Sequence, residues 1–355
     1  MNNTDKIIIV GGLPRTGKSI LRNSIGSHSQ IAFTPTGFNY FGIFSEDRYN
    51  HRGSFNDNIN FFINDHWQAK KWGINEIEPD INGNSRKDLY MSILELYRNK
   101  YWPERKYIGT YIHNSEEYFD VLIDWFGYKR LKFIHIIRDP YDNYSSYVRS
   151  RKVGLKLRSP HIFNSSVNKF CNMWAQSAAI GLNGAIKYPE SYRTIFFEDL
   201  ISKPDNYMAS LCDWIGIPYE KDRMLNMIDY PVKQNSAFSS VEKRNKPIYK
   251  DNYDRKSVLS PYEIETIKTM ACTNFISALD YRKEKHHIVN WKIKTVNRLN
   301  INEYSQIIRS VKKTLVSPFG LKQTFLFYLR ELFVFDNIKN IISILIFFIK
   351  SKINK

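Results

Sequence analysis

The chain has 355 residues, 43% of them hydrophobic and 15% aromatic, enough to build a large core without disulfide or metal staples. Its three cysteines, Cys171, Cys212 and Cys272, are scattered with no CxxC spacing, which argues against a zinc or disulfide framework and points to a reducing, cytoplasmic setting. The formal net charge is +17, and residues 282–355 hold 15 Lys/Arg against 4 Asp/Glu, so most of the excess belongs to the last fifth of the chain.

The opening residues MNNTDK run straight into an apolar stretch, too short a lead for a signal peptide. Residues 7–10 are expected to form a buried strand, followed by a Gly-rich turn and a helix over 20–25. The polar, Asn-rich residues 48–64 read as a loop or insertion. Residues 107–111 give a second strand, 118–126 a helix, 131–137 a third strand, 141–148 and 175–186 two further helices, and 194–197 a fourth strand. None of these apolar runs alternates cleanly, as expected of strands covered on both faces. The class is therefore α/β: a three-layer sandwich with a central parallel sheet. Residues 234–260 read as a second loop, and Ser260-Pro261 with Glu263 as a capped helix start. A boundary is expected near 285, dividing a domain over 1–285 from a basic, apolar-rich helical tail over 286–355. The tail's apolar runs, 325–329 and 341–349, fall short of a membrane span and carry lysines at their flanks. They suggest peripheral contact with an anionic membrane at its inner face. Nucleic acid is not the expected partner.

Two stretches carry chemistry. Gly12-Leu13-Pro14-Arg15-Thr16-Gly17-Lys18-Ser19 follows a strand and opens a helix, matching the P-loop pattern of a phosphate-binding turn. Its glycines let backbone N–H groups close on an anion, the helix N-terminus adds positive potential, and Arg15 and Lys18 add full charges. The second stretch is Arg138-Asp139-Pro140-Tyr141-Asp142-Asn143-Tyr144-Ser145-Ser146. Arg138 stands at the carboxyl end of a strand, where open α/β sheets bind ligands. Ser146 follows about two helical turns into the next helix, so both can grip one phosphate. An ATP-using enzyme would instead need an acid for magnesium, and Asp139 is the candidate.

These stretches, in this order, resemble the sulfotransferase family. Pro14 to Ser19, continuing through Ile20-Leu21-Arg22 to Ser27-His28-Ser29-Gln30-Ile31, is similar to the family's 5'-phosphosulfate loop and the helix after it. Arg138 and Ser146 match its R-[DN]-P-x5-S segment. Phe196-Phe197-Glu198-Asp199-Leu200 with Pro204, and Leu211-Cys212-Asp213-Trp214-Ile215-Gly216-Ile217-Pro218, resemble two further family segments. Phe238-Ser239-Ser240 and Arg255 resemble the C-terminal cofactor loop. The likeness spans residues 7–282. It departs from the family at Gly17-Lys18-Ser19, where Gly-Thr-Thr or Gly-Thr-Ser is usual, and in lacking a tryptophan after Arg255.

The resemblance implies an enzyme that transfers a sulfuryl group from PAPS (3'-phosphoadenosine 5'-phosphosulfate) to an acceptor hydroxyl or amine, releasing PAP, with no metal required. It implies Arg15, Thr16, Gly17, Lys18 and Ser19 at the phosphosulfate, Arg138 and Ser146 at the 3'-phosphate, and Ser239 and Arg255 in the closing loop. Phe197 and Trp174 are aromatic candidates for the adenine, with core packing as their alternative role. Arg15 and Lys18 suit the developing negative charge. His113, at the end of the second strand, matches the family's catalytic histidine, with Tyr111 replacing the lysine of its K-T-H stretch. Glu46, Glu116 and Glu117 are reserve bases, the last two also suited to capping a helix. The acceptor is expected to be a glycan or lipid-linked glycan because of the tail. Two other readings stand beside this one: an ATP-dependent P-loop kinase, and a non-catalytic anion- or polysaccharide-binding protein of the same fold.

Overall fold

A computed structural model describes residues 5–75, 77, 83–156, 166–229 and 256–272. The boundary near 285, the tail, Ser239 and Arg255 all lie outside the described residues.

The chain opens with β1 (Ile7–Gly11), the phosphate-loop turn and α1 (Lys18–Gly26), then β2 (Ile31–Phe33). Four short helices follow: α2 (Tyr40–Ile43), α3 (Glu46–Arg52), α4 (Phe55–Asn60) running into a π-turn over Phe61–Asp65, and α5 (Trp67–Trp72). Next come α6 (Arg86–Tyr101), β3 (Tyr107–Tyr111), a 3-10 turn (Ser115–Tyr118), α7 (Phe119–Arg130) and β4 (Leu131–Ile137). The remainder is α8 (Pro140–Lys156), α9 (Val167–Lys187), β5 (Tyr192–Phe196), α10 (Phe197–Ser202), α11 (Pro204–Ile215) and α12 (Lys221–Asn226), then α13 (Pro261–Thr266).

The five strands form one parallel sheet in the order β2-β3-β1-β4-β5. The α/β class and parallel sheet expected from sequence are present, with one strand more. β2 has only three residues, too few to show a period. Side chains of β1 alternate between two cores. Ile7 and Ile9 face a cluster that includes Leu89, Tyr90 and Ile93 of α6 and Leu122 and Phe126 of α7. Ile8 and Val10 face Leu21 and Ile25 of α1 and Leu211 and Cys212 of α11. That is the three-layer sandwich, and β1 and β3, buried at every position, read as continuous apolar runs because neither face meets water.

The loop expected over 48–64 is helical instead. Ser54 and Asp57 form a reciprocal capping box, the S-x-x-acid signature that starts a helix. Phe55, Ile59, Phe62 and Ile63 are then buried on one side, spaced as a helix face requires. Asn50, Asn56, Asn60 and Asn64 are exposed, while Asn58 is buried and donates to the Tyr49 and Ser54 carbonyls. Ser260 caps α13 by the same box with Glu263, and Pro261 takes its first turn, as the sequence indicates.

Because β1 lies between β3 and β4, the chain leaves it in both directions. The carboxyl ends of these three strands are the place where such sheets bind ligands.

Candidate active site

Gly11 ends β1 and the loop from Gly12 to Gly17 carries the chain to α1. Gly17 has φ 104°, and a Cβ there would lie 2.4 Å from the Phe197 ring. No other residue both adopts that backbone and admits the ring. Arg15 also has positive φ, 66°. On the facing turn Asn114 has φ 56° and donates its amide to the Gly12 carbonyl at 3.2 Å. Left-handed backbone is uncommon outside glycine, and here it occurs both in the phosphate loop and in the turn that bonds to it.

Inside the loop, Thr16 Oγ1 donates to the Leu13 carbonyl at 2.8 Å. Lys18 Nζ reaches back to the Gly12 and Leu13 carbonyls. Lys18 is 3% exposed. Burial pulls its pKa down to about 7, Glu116 acting to raise it and Arg15 to lower it further. Arg15 Nε donates to Ser146 Oγ of α8 at 3.2 Å, and burial, with some repulsion from Arg149, lowers the Arg15 pKa from its ordinary value. Arg138, one residue past β4, donates Nη1 to the Arg15 carbonyl at 3.1 Å. Its guanidinium lies 4.4 Å from the Phe197 ring centroid, and Trp174 Nε1 holds its carbonyl at 2.7 Å. Asn143 Nδ2 donates to the Pro14 carbonyl at 3.0 Å.

The residues expected to act together are therefore together. Arg15, Thr16, Gly17, Lys18, Arg138 and Ser146 form one patch, with Ser19 half-buried on the first turn of α1. Phe197 and Trp174 are buried beneath it, Phe197 as a wedge between Gly17 and Arg138, Trp174 as a bracket on the Arg138 backbone. Three cations stand at this edge, and burial disfavours the charged forms of Lys18 and Arg15. An anion placed among them reverses that penalty, so the residues present fit a phosphate-bearing group.

His113 follows β3, its ring centroid 5.9 Å from that of Tyr111. The residue keeps a solvent-exposed edge while surrounding protein crowds its ring. Desolvation first, then repulsion from Lys18 and Arg15, hold its pKa well below the ordinary histidine value. It is neutral, the state that can take a proton.

The reserve acids are placed elsewhere. Glu46 is exposed in the first turn of α3. Asp139 Oδ1 accepts the Tyr141 and Asp142 amides at 2.9 and 3.1 Å, so the acid considered for magnesium caps α8. Glu116 is buried, accepting the Gly12 amide at 2.9 Å. The sequence hinted at this residue only as a base or a cap, and its position under the loop depends on the fold.

A profile of the Sulfotransferase family matches residues 7–221, more than half of the chain and the whole of the site just described. No curated protein matches the sequence. Among solved structures, the chain is similar to the sulfotransferase domain from the curacin biosynthetic pathway, at 19% identity over 86% of this chain and 97% of that one, TM-score 0.44. It is similar to the sulfotransferase domain of the Synechococcus PCC 7002 olefin synthase at 15% identity over 87% and 96%, TM-score 0.42. A mouse sulfotransferase solved with PAP aligns at 13% identity over 79% and 90%, TM-score 0.44.

Proposed function

The chain belongs to the sulfotransferase family, and from that premise we propose that it takes PAPS as sulfuryl donor, with His113 as general base. The observation that carries the reading is the convergence of Arg15, Lys18, Arg138 and Ser146 at the carboxyl edge of the sheet, beside a neutral imidazole.

PAPS when bound supplies a sulfuryl group on a phosphosulfate anhydride, activated for in-line displacement. The backbone of the loop from Gly12 to Gly17, with Arg15, Lys18 and Ser19, holds the phosphosulfate end. Arg138 and Ser146 hold the 3'-phosphate, and Ser239 and Arg255 are proposed to complete that grip. His113 accepts the proton of the acceptor hydroxyl or amine at a ring nitrogen. Lys18 and Arg15 meet the negative charge that develops on the leaving side, where a cation in a water-poor site is worth most. Burial lowers the Lys18 pKa to about 7, and an anion bound beside it would favour its charged form.

The acceptor class is proposed as a glycan or lipid-linked glycan, with the basic tail over 286–355 lying on an anionic membrane surface. The motivation is the excess of 11 positive charges in residues 282–355, each engaged lysine or arginine contributing about 1 kcal/mol near an anionic leaflet. Flotation with anionic liposomes at low salt should carry the full chain, and a chain ending at 285 should stay behind while still binding PAP. A full chain that ignores the liposomes rules the membrane out.

Thermal shift tests the donor. PAP or PAPS should raise Tm without magnesium. A rise with ATP that requires magnesium, and none with PAP, would favour a kinase. PAP binding with no transfer to any acceptor in a screen with radiolabelled PAPS would leave an anion-binding protein.

A further inference from the structure

Beneath the phosphate loop lies a chain of buried polar groups that the proposed chemistry leaves unused. Tyr192 of β5, His135 of β4, Ser177 of α9 and Glu116 of the turn after β3 are all buried. Tyr192 Oη lies 2.6 Å from His135 Nδ1, His135 Nε2 lies 3.1 Å from Ser177 Oγ, and Ser177 Oγ donates to Glu116 Oε1. Burial lowers the His135 pKa, Glu116 opposing and Lys18 adding to the effect, so the ring is neutral. One assignment of hydrogens then satisfies every group. The Tyr192 hydroxyl donates to Nδ1, Nε2–H donates to Ser177, and Ser177 donates to the carboxylate. All three bonds point the same way and end on Glu116, so they reinforce one another and stabilise negative charge there. The layers must be close for this: a Cβ on Gly181 of α9 would come within 2.7 Å of His135 Nδ1.

The other carboxylate oxygen, Oε2, accepts the Gly12 amide at 2.9 Å. Lys18 Nζ bonds the carbonyl of the same residue. One residue, Gly12, is therefore held from both ends, its amide by a buried carboxylate and its carbonyl by a buried lysine. Charged and titratable groups face this point from several elements: Arg15 in the loop, His113 and Glu116 after β3, His135 on β4, Arg138 with its Asp142 partner at the start of α8, Tyr147 of α8 and Tyr192 of β5. Within this group Glu116 is the carboxylate that acts on Lys18.

We propose that Glu116 is a positioning residue of the donor site, pinning the phosphate loop through the Gly12 amide and supplying the fixed negative charge that faces the Lys18 ammonium. The role rests on the reading of Lys18 as a donor-site cation. It also explains the tyrosine-to-serine relay: a carboxylate removed from water must be held by hydrogen bonds to remain charged. Without it, the loop would present Arg15 and Arg138 around a lysine that burial alone would neutralise.

The test reads Lys18 directly. In protein carrying 13C at the lysine ε-carbons, the Lys18 signal is assigned by its loss in Lys18→Met and titrated by NMR. Glu116→Gln keeps an acceptor for Gly12 and removes the charge. Its Lys18 midpoint should fall by about one pH unit or more, the effect of one close opposite charge. The alkaline fall-off of PAP affinity should move to lower pH with it, and Glu116→Asp should restore both. An unchanged Lys18 midpoint in folded Glu116→Gln overturns the proposal. If Glu116→Gln does not fold, the double variant Lys18→Met/Glu116→Gln decides. Recovery of folding upholds the charge pair; equal instability overturns it. A midpoint that moves in a protein that never binds PAP upholds the pair and overturns the donor-site reading.

Discussion

Two regions flank the carboxyl half of the sheet and are held by opposite means. At the carboxyl ends of β1, β3 and β4, the phosphate loop, Arg138 and the turn after β3 assemble three cations, two residues of left-handed backbone and a buried carboxylate. On one face of the sheet, α2 and α4 to α7 enclose an aromatic nest. Phe38 is fully buried, its ring centroid 5.2 to 5.7 Å from those of Trp72, Tyr40, Phe62 and Tyr90. The nest contributes apolar burial and edge-to-face ring pairs. The rim does the reverse, keeping Lys18 where its charged form is disfavoured and Arg15 where its backbone is strained. The difference teaches that this domain separates stability from chemistry, and that the nest offsets what the rim costs. Each substitution below should therefore move either binding and transfer or stability.

His113→Ala should give the largest change. Transfer should fall by about 10²–10⁴-fold, the contribution of a general base, while PAP affinity and Tm hold. Wild-type turnover in this variant would remove His113 from the mechanism. Phe38→Ala should do the opposite, lowering stability by about 3–5 kcal/mol through a cavity in the nest, with PAP affinity of the folded fraction retained. Chemical denaturation and calorimetry together separate these effects, and equal losses in both would break the comparison.

Arg138→Ala should weaken PAP binding by about 1.5–3 kcal/mol, the scale of hydrogen bonds to a charged group. Ser146→Ala should cost about 0.5–1.5 kcal/mol. Unchanged PAP affinity in the arginine variant would place the 3'-phosphate elsewhere.

The smallest effect is a proton. With the Lys18 pKa at about 7 in the free protein, the group is largely neutral above that pH, and a bound polyanion should recharge it. PAP binding at pH 8 should take up a fraction of a proton, seen as a binding enthalpy that depends on the ionisation heat of the buffer, and PAP affinity should decline as pH rises past 7. Stability follows the opposite course. Between about 7 and the ordinary lysine value of 10.5, the unfolded chain holds a proton that the folded protein has released. This group's contribution therefore raises the stability of the free protein with pH across that window. A binding enthalpy identical in all buffers would mean that Lys18 is already charged in the free site.

Local sequence determined a good part of this. The apolar runs of β1, β3, β4 and β5 declare a parallel sheet because strands covered on both faces show no regular polar alternation. The phosphate loop is legible because its backbone needs glycines at fixed offsets between a strand and a helix, a requirement satisfied within eight residues. Arg138 with Ser146, and Ser260 with Glu263, are legible for the same reason: their partners lie within one or two helical turns. Tertiary structure alone decided the rest. β2 is too short to carry a period and exists because β3 offers it an edge. The helix over 55–60 holds because Phe55 and Ile59 have the nest to pack on, with Tyr49 of the preceding helix against the same cluster, so their asparagines do not prevent them. Phe197 against Gly17, and Glu116 under Gly12, join residues about a hundred or more positions apart. No spacing rule reaches across such a gap, because what brings these residues together is the parallel crossover of strands that end at one edge.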